Sequence, residues 1–362
     1  METNYRIINF TTGPVMIPDE VKKTFSELPE SHRTQQFSNS FAELQNKLCA
    51  FTKAKYVNFF TGSGTLANEV MIAQIKRNNA KGIVLSNGEF GNRLINQCKR
   101  QGIDFISYNK DWGSEFELNE IEEILKNKDL NWILFVHSES STGCINDMKN
   151  IVSLATKYQL NIYVDTVSSI SNQEINLNEV TIATASSGKG LASIPGIALV
   201  FSNERIEPDD NIPTYLDLGY YFQKDGIPFT ISSNLIFALN EATNFTTTSS
   251  HLKNISELSS YLIQKLKAFA NIEILNTKYA LQSHIITIKP MHGLLSTALG
   301  NALMKKNIDT SFNSKYLVER NFLQIAIMSQ HSKDEIDLLV ENLGEQLYHC
   351  QVETPDSTVS SN

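Results

Sequence analysis

The chain has 362 residues, 41% of them hydrophobic, which is enough to bury one large domain and a smaller one. Its net charge of −8 and the lack of an apolar run long enough to span a bilayer argue against nucleic acid or membrane as partners. The four cysteines lie far apart, which argues against a disulfide scaffold or a metal site. With no signal-peptide pattern at the start, a cytoplasmic protein is expected.

Predicted helices and strands alternate between residues 40 and 201. Each predicted strand is a short apolar run, and each predicted helix carries apolar residues at helical spacing. This alternation predicts an α/β fold with a mostly parallel central sheet. The predicted helices cover residues 41–54, 65–77, 91–101 and 148–158, and the predicted strands cover 56–60, 83–86, 132–137, 162–165, 181–185 and 197–201.

The order of elements changes after about residue 245, where helices and strands predict a smaller α+β domain. The expected division is an N-terminal arm at 1–20, a large domain at 21–245, a small domain at 246–350 and a disordered tail at 351–362. The polar, serine- and threonine-rich composition of the tail favours disorder. Helices are predicted at 250–269, 294–305 and 333–348, and strands at 272–275, 284–288 and 322–328.

A glycine-rich turn follows the predicted strand at 56–60 and opens the next helix. It reads Thr61-Gly62-Ser63-Gly64-Thr65. Glycines allow the backbone to approach a ligand, and a helix start presents free N–H groups that suit a phosphate. The alternative is an ordinary strand–helix turn with Thr65 as the N-cap.

Asp165 ends another apolar strand, at the edge where α/β sheets place ligands. A carboxylate there can pair with a protonated ring nitrogen, although capping the next turn is the commoner role of such a residue. Lys189 stands between two glycines just after a later strand. A buried lysine amine is a good Schiff-base nucleophile, whereas a lone loop lysine is more often simply exposed.

A phosphate cup, a ring-nitrogen acid and an amine together describe one ligand, pyridoxal phosphate (PLP). The ordered motifs resemble class V aminotransferases of PLP fold type I, especially 2-aminoethylphosphonate–pyruvate and alanine–glyoxylate (serine–pyruvate) aminotransferases. The likeness runs from about residue 10 to 348. The matching segments are residues 12–14 (TGP), 32–33 (HR) with Phe37, 61–65 (TGSGT), 86–91 (SNGEFG), 137–143 (HSESSTG), 164–169 (VDTVSS), Lys189 and 195–196 (PG).

The resemblance implies a role for each matching position and a homodimer with sites at the subunit interface. Lys189 would form the Schiff base and shuttle protons, and Asp165 would pair with the ring nitrogen. Ser63, Gly64 and Thr65 would bind the phosphate, and Phe90 and Val167 would pack on the two faces of the ring. Thr142 would lie beside the ring hydroxyl, and Thr230 would reach the phosphate bound by the other subunit.

The pattern departs from the family where it places an arginine for the substrate carboxylate, because this chain has Gln324 there. An amide can hydrogen-bond a carboxylate but brings no charge. Losing the charge-assisted pair with arginine would lower the affinity for the substrate carboxylate about a hundredfold. Arg320 or Arg33 could supply a cation instead. The expected function is transfer of an amino group from a small amine or amino acid to pyruvate or glyoxylate, with Gln324 binding an altered substrate. A PLP lyase or decarboxylase and a non-catalytic PLP-binding protein are the alternatives.

Overall fold

A computed structural model of the protein describes residues 7–77, 80–275 and 283–352. The elements of the first part are, in chain order, β1 (Ile8–Phe10), α1 (Asp19–Phe25), α2 (Gln35–Thr52), β2 (Tyr56–Thr61), α3 (Gly64–Arg77), β3 (Gly82–Ser86), α4 (Glu89–Gln101), β4 (Phe105–Asn109), α5 (Leu118–Asn127), β5 (Trp132–Val136), β6 (Ser138–Glu139), β7 (Cys144–Ile145), α6 (Met148–Lys157), β8 (Asn161–Asp165), β9 (Ile182–Ser186) and β10 (Ile197–Ser202).

The elements of the second part follow after a long loop. They are α7 (Leu218–Gln223), α8 (Ser233–Thr246), α9 (Ser249–Leu266), β11 (Ile272–Ile274), β12 (Ile285–Pro290), α10 (Ser296–Lys305), β13 (Ile308–Thr310), α11 (Lys315–Arg320), β14 (Leu323–Ala326) and α12 (Lys333–Val352). Residues 353–362, most of the predicted disordered tail, lie outside the described residues, as does the start of the predicted arm.

A seven-stranded sheet with the strand order β2–β10–β9–β8–β5–β3–β4 forms the centre of the described fold. The pairs from β9 to β4 are parallel, and β10 is antiparallel to both of its neighbours. The prediction of an α/β fold with a mostly parallel sheet is therefore confirmed. The carboxyl ends of β2, β5, β8 and β9 meet at one edge of the sheet as a result.

Helices cover both faces of this sheet, so its strands are apolar on both sides. Alternate residues of β5 enter different apolar clusters, with Ile133 and Phe135 on one face and Trp132 and Leu134 on the other. Edge strand β4 and the charged helix α5 were not predicted. β4 is largely exposed or half-buried, so it lacks the continuous apolar run that marks the central strands.

The C-terminal elements build a separate apolar cluster around the antiparallel sheet β11–β12–β14. Phe10 belongs to this cluster, because β1 pairs in parallel with β13. The N-terminal arm is thus tied at residues 8–10 to the C-terminal elements. The exact domain boundaries remain a prediction. None of the described helices is long and apolar enough to cross a bilayer.

Candidate active site

A cleft of about 620 Å³ opens at the sheet edge where the carboxyl ends of the parallel strands meet. Ligands of α/β proteins bind at this edge, and the volume is in the range of small-molecule sites. Seven of the residues predicted from the sequence line the cleft together, although they are spread from residue 63 to residue 189. They are Ser63, Gly64, Thr65, Phe90, Asp165, Val167 and Lys189.

The glycine-rich turn forms one end of the cleft. α3 begins at Gly64, and the carbonyl of Ser63 accepts hydrogen bonds from the N–H groups of Leu66 and Ala67. Ser63 therefore stands at the helix start, and Thr65 lies within the first turn rather than at the N-cap. Both Ser63 and Thr65 are exposed. Their hydroxyls and the positive end of the helix dipole can thus meet an anion in the cleft.

Asp165 is a buried acid whose two oxygens are held separately. Oδ2 accepts a hydrogen bond from Asn68 Nδ2 at 2.8 Å, and Oδ1 accepts one from the Val167 N–H at 2.8 Å. The hydroxyl of Thr184 donates in turn to Asn68 Oδ1 at 2.6 Å. Burial raises the pKa of Asp165, against which these hydrogen bonds and the Lys189 charge act. A cation in the cleft would favour the charged form further.

Lys189 points into the same cleft, and its Nζ donates a hydrogen bond to Ser168 Oγ at 2.8 Å. Burial lowers the pKa of this amine, while the carboxylates of Asp165 and Glu139 oppose the shift. A lower pKa leaves more of the amine neutral and nucleophilic near pH 7. Gly13 allows the N-terminal segment to cross the lysine stem, since a Cβ at this position would lie 3.1 Å from Lys189 Cγ.

Phe90 and Val167 also line the cleft. The Phe90 ring centroid lies 5.1 Å from Lys189 Nζ. Val167 packs so closely on the helix start that a Cβ at Gly64 would lie 2.8 Å from each of its two methyl carbons. Only a residue without a side chain therefore fits at position 64 with Val167 in this place.

The remaining predicted residues are not among those that line the cleft. Thr142 is buried in the β6–β7 hairpin, where its hydroxyl donates to the Glu139 carbonyl and accepts from the Cys144 N–H, both at 3.3 Å. Thr230 is exposed on the loop before α8. The cofactor contacts expected of these two residues remain predictions.

Gln324 is fully buried on β14, and its amide is already engaged by the protein. Nε2 donates to the Ser140 carbonyl at 2.7 Å and to Thr287 Oγ1 at 2.9 Å. Oε1 has no hydrogen-bond partner in the part of the chain that the structure describes. Both N–H groups are thus used, and only an acceptor oxygen is left for a ligand.

The two arginines suggested as substitutes for the missing cation lie elsewhere. The Arg320 guanidinium carbon stacks 3.4 Å from the centroid of Trp112, and Arg33 is exposed. Two arginines that the sequence did not single out, Arg93 and Arg100, line the cleft instead. The guanidinium of Arg93 lies 4.8 Å from the Phe90 centroid.

The sequence analysis did not predict the hydrogen-bond partners of Asp165 and Lys189, which are Asn68 and Ser168. Asn68 lies four residues after Gly64, so it shares the helix face that carries the glycine, and a buried amide there was a usable signal. Ser168 is in the motif around Asp165, but nothing in the sequence indicates that Lys189 reaches it.

The residues present suit PLP on the chemistry of their donors and acceptors. An acid, an amine and a helix start with two exposed hydroxyls line one cleft, as PLP requires of its ring nitrogen, aldehyde and phosphate. Gly64 has no side chain, so Val167 can lie directly against the helix start at this end of the cleft.

The family model Aminotransferase class-V matches residues 25–339. The chain therefore belongs to the class V aminotransferase family, whose members depend on PLP. An uncharacterized aminotransferase of Methanocaldococcus jannaschii is 34% identical over 243 residues, covering 64% of this chain and 63% of that protein. The L-aspartate–glyoxylate aminotransferase of Paracoccus denitrificans is 31% identical over 250 residues, covering 64% and 62%. The matches thus span less than two thirds of these relatives.

Solved structures resemble the fold over nearly the whole chain. The alanine–glyoxylate aminotransferase of Nostoc sp. has a TM-score of 0.83 at 24% identity, covering 96% of this chain and 97% of that one. The ureidoglycine–glyoxylate aminotransferase of Bacillus subtilis has a TM-score of 0.88 at 18% identity, covering 98% and 96%. At these identities the likeness establishes the fold, and the prediction of PLP fold type I is confirmed.

Proposed function

We propose that this protein is a cytoplasmic PLP-dependent aminotransferase that moves an amino group from a small amine or amino acid to a 2-oxo acid such as pyruvate or glyoxylate. The observation that carries the proposal is the meeting of Asp165, Lys189 and the glycine-rich helix start in one cleft. Family membership supports it, as do the names of relatives that act on glyoxylate or pyruvate.

Each group in the cleft has a distinct part in this reaction. Bound PLP supplies an electron sink that stabilises negative charge on the substrate carbon. Asp165 keeps the ring nitrogen positive, and the Lys189 amine moves a proton at the substrate carbon. Phe90 and Val167 hold the ring from its two faces. Ser63, Gly64 and Thr65 anchor the phosphate, with Thr142 beside the ring hydroxyl.

A homodimer is part of the proposal, with Thr230 of each protomer reaching the phosphate bound by the other. Two features support this: Thr230 is exposed, and Tyr215 nearby is 56% exposed while its ring stacks 4.1 Å from that of Phe229. An exposed aromatic ring such as that of Tyr215 is a common feature of protein interfaces.

The test is a panel of amines and amino acids added to the PLP-loaded protein, followed by absorbance and by analysis of products. Release of an oxo product together with pyridoxamine phosphate, and recovery of PLP on adding pyruvate or glyoxylate, is the expected result. Product without pyridoxamine phosphate would instead identify a lyase or decarboxylase, which the lack of an arginine at position 324 favours as the second candidate. A protein that binds PLP but responds to no amine would be non-catalytic.

Replacing Gly64 by alanine is expected to weaken PLP binding about tenfold to a hundredfold, because Val167 must shift within the cleft to relieve an overpacking of about 1–3 kcal/mol. The new Cβ would lie 2.8 Å from both methyl carbons of Val167. Absorbance titration measures the affinity and thermal unfolding the stability. A double-mutant cycle with Val167→Ala is the control, since removing the methyl groups should recover stability in the double variant. Unchanged PLP affinity in Gly64→Ala would contradict the proposal that the phosphate binds at this end of the cleft.

Gln324 is proposed to bind a substrate that differs from an ordinary α-amino acid in the group it presents there. Gln324→Arg is then expected to raise kcat/KM for ordinary α-amino acids by about tenfold to a hundredfold, since a charge-assisted hydrogen bond contributes about 1.5–3 kcal/mol. The variant should also melt at a lower temperature without substrate, because the position is fully buried. Gln324→Met is the uncharged control. If kcat/KM of Gln324→Arg for α-amino acids did not exceed that of Gln324→Met, Gln324 would not lie in the pocket that binds the substrate carboxylate.

A further inference from the structure

Helix α4 carries Phe90 into the cleft, but its own sequence does not cap its start. The N-cap residue is Gly88, which has no side chain to accept hydrogen bonds from the first turn. The N–H groups of Glu89, Phe90 and Gly91 lack partners within the helix and need acceptors from elsewhere. Buried N–H groups without acceptors are costly.

All three acceptors come from the β6–β7 hairpin, about 50 residues further along the chain. Ser141 Oγ accepts from the Glu89 N–H at 3.0 Å. Glu139 Oε1 accepts from the Phe90 N–H at 3.3 Å, and Glu139 Oε2 accepts from the Gly91 N–H at 2.9 Å. The hairpin therefore replaces the missing capping side chain.

The Glu139 carboxylate is itself held tightly. It is 0% exposed, and Oε1 also accepts from the N–H and the hydroxyl of Ser141, at 3.1 and 2.6 Å. Gly88 is required by this packing, since a Cβ there would lie 2.4 Å from Glu139 Cγ. Both helix start and carboxylate are thus fixed relative to each other.

Glu139 is best described as a charged group in this position. Burial raises the pKa of its carboxyl, and the four hydrogen bonds act in the opposite direction. Every one of the four partners is a donor, so the ionised form satisfies all of them, whereas a protonated oxygen would face one donor with another. A negative charge also suits the positive end of the helix dipole.

We propose that Glu139 is a positioning residue that holds Phe90 against the cofactor by capping α4 from the neighbouring hairpin. The inference rests on the proposed binding of PLP and adds a residue that does not line the cleft. Its charge also acts on the Lys189 amine, but its hydrogen bonds reach the site through Phe90, whose N–H it binds and whose ring centroid lies 5.1 Å from Lys189 Nζ.

The test is Glu139→Gln, which keeps the shape but places an NH₂ donor against a helix N–H. We expect the PLP dissociation constant, measured by absorbance titration of the cofactor-free protein, to rise about tenfold. The matched control is Ser141→Ala, which removes the cap of Glu89 and the hydroxyl bond to Glu139 Oε1 but leaves both Glu139 bonds to α4 and the carboxylate charge. It should lower the melting temperature while PLP affinity stays within about threefold of the wild type.

A double-mutant cycle then asks whether Glu139 acts through Phe90. Phe90→Leu should weaken PLP binding by itself, and Glu139→Gln should add little to that loss if it works by placing the ring. Additive losses would mean that Glu139 affects PLP binding by a route other than the Phe90 ring, such as its charge near Lys189, and would overturn the inference. An unchanged dissociation constant in Glu139→Gln with only a lower melting temperature would reduce Glu139 to a structural cap. A wild-type protein that takes up no PLP would instead contradict the proposed function itself. That outcome differs from wild-type binding of PLP with no effect of Glu139→Gln, which would contradict only the role of Glu139.

Discussion

Lys189→Ala is expected to lower transamination by at least about a thousandfold and to abolish the visible absorbance that the lysine–cofactor bond produces. The variant removes the amine that lies in the cleft, 2.8 Å from Ser168 Oγ, and with it the group that moves the proton. Positioned proton transfer contributes about a hundredfold to ten-thousandfold by itself. Stopped-flow or steady-state rates with a responsive amine, together with absorbance spectra, measure both effects.

Two controls accompany this variant. Lys99→Ala removes an exposed lysine from α4 and should change neither rate nor spectrum. A small primary amine such as methylamine should restore part of the activity of Lys189→Ala, because it can carry the proton that the side chain no longer carries. Retention of more than about a tenth of the wild-type rate in Lys189→Ala would contradict the role assigned to this residue.

Asp165→Asn should reduce kcat/KM by roughly a hundredfold or more, the cost of removing one partner from a buried charge pair. The asparagine keeps the shape but removes the negative charge that holds the ring nitrogen positive. Its NH₂ group would also face the Asn68 amide, which now donates to Asp165 Oδ2 at 2.8 Å. The weaker electron sink should appear mainly as a lower kcat, measured with saturating PLP.

Asn68→Ala separates these two effects, since it removes the hydrogen bond and leaves the charge in place. Its loss should be about tenfold, the value of one charge-assisted hydrogen bond. If Asp165→Asn lost no more activity than Asn68→Ala, the charge of Asp165 would have no part in the reaction. Thermal unfolding of both variants would show whether the losses of activity are caused by lower stability of the fold instead.

Sequence reasoning found the parts of the site that depend on local structure. A glycine-rich turn between strand and helix, an acid at a strand end and a lysine between glycines are all visible within a few residues. Chain topology then carries these segments to one edge of the sheet, because β8 and β9 are adjacent and parallel and β10 joins β9 to β2. This is why Ser63, Asp165 and Lys189 could be expected to meet.

Reasoning from the sequence was weaker at elements without a strong apolar pattern. α2 begins at Gln35, six residues before the predicted start, because the Thr34 side chain accepts from the Phe37 N–H and caps the helix there. Helices α7 and α8 were not predicted at all, although Asp217 and Ser232 cap them in the same way. Capping residues signal a helix start only when the pattern that follows is recognised.

The amino-acid sequence alone determined the class of fold, the mostly parallel sheet and seven of the residues that line the cleft, because strand ends and helix starts are encoded by neighbouring residues. Only the tertiary structure decided which distant groups hold those residues in place. Asn68 reaches Asp165 across 97 residues, Glu139 caps the helix of Phe90 across 49, and Gln324 binds the Ser140 carbonyl across 184. Hydrogen bonds between segments this far apart depend on how helices, hairpin and sheets pack, which no local pattern records.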